Sequence, residues 1–369
     1  MEEFQTVQRL ARLRKRMKEE GVDAFLALRS VTVEYLTGFD AIRDLEDPHA
    51  VLVTADEARF LTDSRYQEIA EIQAAEHKSP YRIDDAKDKR IPEDLCELWN
   101  LKSYKRIAVE DSIMQRTFAL LEDALTPGVL KPTKEWVEKL RAVKDAAEIE
   151  RIAAAQAITD QAFTHICGYL QVGQTEHEIA LELEYTMRKL GATLAFSSIV
   201  ASGPNGSLPH AVPGERRIEE GDFVTLDFGA SFKGYCTDMT RTVCVGAPAS
   251  DEQRRVYETV FEAQLASLAA FKAGATGAQV DKAGRDIIEA AGYGEYFGHG
   301  IGHGVGLEVH ELPTASPRGM DALLQGNVIT CEPGIYIPGK FGCRIEDMVV
   351  IEDEGVSNFT TSPKELLVV

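Results

Sequence analysis

Residues 223–243 read FVTLDFGASFKGYCTDMTRTV, and this stretch decides how the second half of the chain is organised. Two apolar runs, Phe223–Phe228 and Thr237–Val245, flank a turn through Lys233-Gly234, the pattern of two strands joined by a turn. Each run has an acid at one end, Asp227 and Asp238, eleven positions apart. A carboxylate in an apolar strand is costly unless it is paired or bound to a metal. On this segment alone two readings stand open. The turn brings the two acids together as metal ligands, or an aspartate at a strand end simply caps a turn.

A second stretch repeats the arrangement. VITCEPGIY (328–336) leads through Pro338-Gly339 to RIEDMVV (344–350), placing Glu332 and Glu346 on neighbouring apolar strands. Four carboxylates in one place repel each other, so a proton or a cation must neutralise them. Two divalent ions balance four such charges and leave a neutral histidine as the nitrogen ligand. The candidate lies in GHGIGHGVG (298–306), where five glycines alternate with His299, Ile301, His303 and Val305. In an extended chain those four side chains share one face, and the bare face admits a close backbone or substrate.

Three other site types are excluded. The glycines do not follow the G-x-G-x-x-G spacing of a dinucleotide loop. His310-Glu311 runs into Leu312-Pro313, so there is no H-E-x-x-H, and no G-x-S-x-G elbow occurs.

Around these motifs the chain divides into two expected domains, 1–130 and 131–369, at the break Thr126-Pro127-Gly128. The first opens on an amphipathic helix with Val7, Leu10, Leu13 and Met17 on one face and a stop at Gly21. Short apolar runs at Ala24–Leu28, Val51–Thr54, Arg59–Leu61 and Arg106–Val109 then predict a small α/β domain. The polar stretch Ser79–Asp94 reads as a loop without core residues. In the second domain, helices are expected at Lys134–Cys167, after the capping boxes Thr175-x-x-Glu178 and Ser250-x-x-Gln253, and at Ala278–Ala291. With strands at 223–228, 237–245, 328–331 and 348–351 this is an α+β domain on a mostly antiparallel sheet.

The net charge, 40 − 60 = −20, disfavours nucleic acid and anionic membrane as partners. No run of 18 apolar residues predicts a membrane span. Six cysteines without a C-x-x-C pair, in a chain with no signal peptide, read as reduced thiols in the cytoplasm.

The five acid and histidine motifs, taken together, resemble the metallopeptidases of the pita-bread fold, which include methionine aminopeptidase, prolidase and aminopeptidase P. Tyr35-Leu-Thr-Gly-Phe39 and Asp63-Ser-Arg-Tyr66 resemble the creatinase-type N-terminal domain of the proline-specific branch. The resemblance implies two divalent metal ions, Mn²⁺ foremost, with Co²⁺, Fe²⁺ or Zn²⁺ also suited to such donors. Its ligands would be Asp227, Asp238, His303, Glu332 and Glu346, with Asp238 and Glu346 bridging. Leu208-Pro209-His210-Ala211, His299, His310 and Arg344 resemble the proline-specific set. They imply an Xaa-Pro aminopeptidase or Xaa-Pro dipeptidase acting on proline-containing di- or oligopeptides through a metal-bridging hydroxide. Glu332 would shuttle the proton, and His310 would stabilise the tetrahedral intermediate. His210, His299 and Arg344 would be catalytic as well, with His210, His310 and Arg344 contacting the substrate. A homodimer is implied as well. The alternative from another class is a non-catalytic binding module that keeps the fold, a kind that typically loses ligands. Cys331, which alternation turns away from Glu332, reads as a small apolar residue.

Overall fold

Leu10, Leu13 and Met17 recur at helical spacing, and all three are buried on one face of α1 (Thr6–Glu20), which ends where Gly21 turns left-handed at φ +63°. Val7, expected on that face, is 60% exposed, because Thr6 and Arg9 take the buried positions of the first turn. The computed structural model describes residues 5–40, 49–86 and 94–369. The chain divides into two units, Met1–Arg141 and Ala142–Val369.

The first unit is built on six strands, β1 (Ala24–Ala27), β2 (Ala50–Thr54), β3 (Ala58–Thr62), β4 (Arg82–Asp85), β5 (Ile107–Glu110) and β6 (Leu130–Thr133). They form one mixed sheet in the order β4-β3-β2-β1-β5-β6. Helices α2 (Ser30–Thr37), α3 (Gln67–Glu76), α4 (Leu95–Leu98), α5 (Gln115–Ala124) and α6 (Trp136–Ala142) complete it. Two differences from the sequence reading have physical causes. The stretch read as a loop at 79–94 contains strand β4, with Tyr81 and Ala86 buried beside it; residues 87–93 lie outside the described ones. An edge strand needs only one backbone partner and tolerates charge. Here Asp84 is satisfied by Arg59 at 2.7 Å and by the Trp99 indole at 2.9 Å. Strand β6 pairs in parallel with β5, so this sheet continues past the break at 126–128.

The second unit carries α7 (Ala146–Tyr169), α8 (Glu176–Lys189), α9 (Asp251–Ala270) and α10 (Gly277–Ala290). Each opens on a capping box, formed by Asp145/Glu148, Thr175/Glu178, Ser250/Gln253 and Thr276/Gln279. The single helical region expected from 134 to 167 is therefore interrupted. Asp145 accepts the Glu148 N–H and starts a new helix.

The strands are β7 (Thr193–Leu194), β8 (Ile199–Ser202), β9 (Phe223–Phe228), β10 (Ala230–Phe232), β11 (Tyr235–Cys236), β12 (Met239–Cys244), β13 (Gly302–Gly304), β14 (Glu311–Ala315), β15 (Val328–Cys331), β16 (Gly334–Ile337), β17 (Phe341–Arg344), β18 (Asp347–Ile351) and β19 (Val356–Asn358). Their sheets, ordered β12-β9-β8, β14-β13-β15-β18-β19, β11-β10-β7 and β16-β17, are antiparallel throughout.

Two cores hold these layers. Ile158, Phe163, Ile179 and Leu183 of α7 and α8 pack with Val224, Leu226 and Phe228 of β9. Val256, Val260, Val280 and Ile288 of α9 and α10 pack with Ile329, Cys331, Cys343 and Val349. Burying each large apolar side chain contributes about 1.5–3 kcal/mol. Among the described residues no helix is long and apolar enough to cross a membrane.

Candidate metal centre

Leu226 and Phe228 of β9 face the helices, so the two-residue pleat turns Asp227 to the opposite side of the sheet. Residues Phe228 and Met239 pair across β9 and β12, which puts Asp238 at the same end of the sheet. The chain between them is longer than a simple turn. It makes the β10–β11 hairpin through Lys233 and Gly234, both at positive φ, and joins β7. Glu332 follows β15, Glu346 lies between β17 and β18, and His303 is the middle residue of β13.

The alternate glycines around His303 serve backbone packing on both sides. A Cβ on Gly302 would lie 2.0 Å from the Thr330 carbonyl oxygen, and one on Gly304 would lie 2.2 Å from that of Leu312. His299 and His303 line the cavity, whereas Ile301 and Val305 are buried in separate apolar clusters. The expected common face of these four residues does not form, because the strand spans only Gly302–Gly304 and its register shifts after His303.

The five acid and histidine residues surround one cavity of about 480 Å³, whose wall also includes His210, His299, His310, Arg344, Phe196, Ile199 and Tyr336. Asp238, His303 and Glu346 each present a donor atom within 4.8 Å of the others. The His303 Nδ1 lies 3.2 Å from the Gly304 carbonyl, which can only accept, so Nδ1 carries the proton. Its Nε2 lone pair then faces Asp238 Oδ2 at 3.5 Å and Glu332 Oε1 at 3.4 Å. Lone pair against carboxylates is repulsive unless a proton or a cation lies between them.

Burial and the neighbouring carboxylates raise Asp238 and Glu346 well above the usual carboxylate range, and burial raises Glu332. Burial lowers His303, His299 and His310, keeping their rings neutral at neutral pH. Asp227 Oδ1, Asp238 Oδ1 and Glu346 Oε1 are buried without a hydrogen-bond partner. Such orphaned oxygens cost free energy that cation coordination recovers. One neutral imidazole and four carboxylates, three of them with a free buried oxygen, fit divalent cations that prefer oxygen ligands.

Arg344 lies on the cavity wall and is also tied to the ligand set. Its Nη2 donates to Asp227 Oδ2 at 2.5 Å, its Nη1 to the Tyr336 hydroxyl at 2.8 Å, and its Nε to Thr240 Oγ1 at 3.0 Å. Thr240 also donates to Glu346 Oε2 at 2.7 Å. The Tyr336 hydroxyl donates onward to His299 Nε2 at 2.8 Å, because the Gly300 carbonyl fixes the proton on His299 Nδ1. Asp227, Arg344, Tyr336 and His299 thus form one chain of contacts. Tyr336 and Thr240 were not singled out in the sequence, where each reads as an ordinary strand residue. The alternation of Tyr336 between Ile335 and Ile337 was the one available signal.

His210 and His310 lie on loops at the cavity wall, His310 partly buried, and the His310 ring lies 4.3 Å from that of His303, centroid to centroid. The buried Lys144–Glu311 pair, at 2.7 Å, secures the residue after His310. Cys331 is buried in the apolar core with its thiol toward the Gln264 carbonyl, away from the cavity.

An antiparallel frame that converges four buried carboxylates and an imidazole on one cavity defines a metal-dependent hydrolase. Residues 150–353 match metallopeptidase family M24, and residues 9–143 match the creatinase/prolidase N-terminal domain. The chain belongs to metallopeptidase family M24. An Xaa-Pro dipeptidase of Pyrococcus furiosus is 37% identical, with 98% of this chain and 99% of that protein covered. Among solved structures, an Xaa-Pro dipeptidase from Bacillus anthracis superposes with a TM-score of 0.91 at 40% identity, covering 99% of this chain and 100% of the other. An X-Pro aminopeptidase from Thermotoga maritima does so with a TM-score of 0.87 at 38% identity, covering 98% and 99%.

Proposed function

We propose that this metallopeptidase hydrolyses the Xaa-Pro bond of dipeptides. The observation that carries the reading is the convergence of His303 Nε2 with the orphaned oxygens of Asp227, Asp238 and Glu346 on one cavity. The relatives whose names specify Xaa-Pro substrates support the choice of bond, and two of those three are named dipeptidases.

Asp227, Asp238, His303, Glu332 and Glu346 would hold two divalent cations, with Mn²⁺ suited to the oxygen-rich set. When bound, such cations supply an acidified water as nucleophile and polarise the scissile carbonyl. Glu332 takes up the proton of that water and passes it to the leaving nitrogen. The nitrogen of an Xaa-Pro bond has no hydrogen of its own, so it leaves only when protonated. His310, neutral because burial lowers its pKa, offers one N–H to the oxygen that becomes negative in the tetrahedral intermediate. His210 meets the substrate from the facing loop. Arg344 holds Asp227 through its guanidinium, and Tyr336 and His299 brace it. The same reading makes the protein a cytoplasmic homodimer whose six free thiols stay reduced.

Purified protein supplied with Mn²⁺ is expected to release proline from Ala-Pro and to cleave longer Ala-Pro-Xaa peptides poorly. Equal rates on the longer peptides would reassign it as an aminopeptidase. Loss of both activities, with metal bound, would leave a binding module.

A further inference from the structure

His210 reaches the cavity on a loop whose larger apolar side chains lie in solvent, with only the small Ala211 buried. Leu208 and Val212, two residues to either side, are 58% and 85% exposed. What orders the loop is a single carboxylate beneath it. Glu176, the first residue of α8, is fully buried. Its Oε1 accepts from the Ser202 backbone N–H and hydroxyl, both at 2.7 Å, and from Asn205 Nδ2 at 3.1 Å. Its Oε2 accepts from Asn205 Nδ2 at 3.1 Å and from the Gly214 N–H at 3.2 Å. Ser202 and Gly214 are the two ends of the segment that carries His210, so one group gathers both ends and a point between them.

The opposite partners reinforce this. Arg216 Nη1 donates to Ser202 Oγ at 2.6 Å and to Asp222 Oδ2 at 2.6 Å, leaving the Ser202 proton for Glu176. The first N–H groups of α8 bond back, Glu176 to the Arg216 carbonyl and His177 to that of Gly214, both at 3.1 Å. Beyond the carboxylate, the loop touches β17 backbone to backbone. A Cβ on Gly342 would lie 1.8 Å from the Gly206 carbonyl oxygen, and Arg344 Nη1 approaches the Pro209 carbonyl at 3.5 Å.

We propose that Glu176 is a positioning residue that sets His210 against the substrate. The inference rests on the role given to His210 in the proposed function. A loop closed on one acceptor moves as a unit rather than as a mobile surface segment. Only a carboxylate serves here. Glutamine keeps one acceptor oxygen and turns an NH₂ toward a backbone N–H, of Gly214 or of Ser202, that can only donate, so the loop relaxes and His210 moves with it.

The test is a double-mutant cycle on full-length, Mn²⁺-loaded enzyme with Ala-Pro as substrate. Glu176→Gln and His210→Ala are each expected to lower kcat/KM by about 10- to 100-fold, the scale on which small misplacements tell. Metal content in Glu176→Gln stays at the wild-type level. The double variant is expected to be no worse than His210→Ala alone, because one residue acts through the other. Losses that multiply in the double variant overturn the inference, as does wild-type kcat/KM in folded Glu176→Gln. A silent His210→Ala variant instead defeats the role of His210 itself, and the inference with it. If Glu176→Gln does not fold, Asn205→Ala takes its place in the same cycle with the same criteria. It removes two of the five bonds and leaves the carboxylate with Ser202 and Gly214.

Discussion

In the proposed mechanism Glu332 serves as both metal ligand and proton carrier. Its Oε1 lies 3.4 Å from His303 Nε2, and its nearest hydroxyl, Thr330 Oγ1, is 3.5 Å away. The carboxylate is thus loosely held compared with Glu346, which Thr240 fixes at 2.7 Å. A loosely held acid can turn toward water or leaving group; a tightly bonded one serves better as a fixed ligand. Glu332→Gln is expected to lower kcat by about 10²- to 10⁴-fold, the worth of a positioned acid–base group, while circular dichroism stays unchanged. Wild-type kcat in that variant would remove Glu332 from the proton transfer. The acid and histidine identities were legible in the sequence because an acid beside an apolar run is conspicuous. Tyr336 was not, since a tyrosine in a strand is ordinary and its bonds to Arg344 and His299 leave no local mark.

At the scale of elements, strands β9 and β15 fall where the apolar runs placed them, and the capping boxes at Thr175 and Ser250 start helices as expected. Such signals are local, so they survive in sequence. Strand β4 was missed because Ile83 is its one apolar side chain and its pairing with β3 is a backbone matter. The glycines of 298–306 divide likewise. A Cβ on Gly298 meets nothing within 4 Å, whereas one on Gly302 meets Thr330, whose hydroxyl accepts the His303 N–H at 3.1 Å. Gly302→Ala is therefore expected to cost about 1–3 kcal/mol of stability through overpacking and to weaken metal binding. Gly298→Ala should change neither. Thermal melts and Mn²⁺ titrations of the two variants check the contrast, and equal behaviour would refute the close approach.

Four carboxylates line the cavity of the second unit, so its stability is expected to depend on pH and on cations. In the metal-free protein, Asp238, Glu332 and Glu346 hold protons in the folded state that the unfolded chain releases near pH 4. Their contribution to stability is therefore full in acid and is lost as pH rises through the raised range. Cations compete with those protons, so binding strengthens as pH rises. Chelation is expected to lower Tm, and the gap between loaded and stripped protein should widen between about pH 5 and pH 8. Binding at a hundredfold excess over Kd stabilises by about 2.7 kcal/mol, roughly 5–10 °C for a unit of this size. Calorimetry at several pH values reads this directly, and a gap that narrows toward alkaline pH would contradict it.

Sequence alone determined the chemistry of the donors, the strands and helices that carry them, and the family they resemble, because pattern and capping act over a few residues. Tertiary structure alone decided that Arg344 pairs with Asp227, 117 positions away, and that Thr240 secures Glu346 across 106. It also decided which carboxylate oxygens stay orphaned and that Glu176 gathers the His210 loop. Contacts between strands so far apart depend on how sheets stack and on which pleat faces the cavity. No local stretch of chain encodes that.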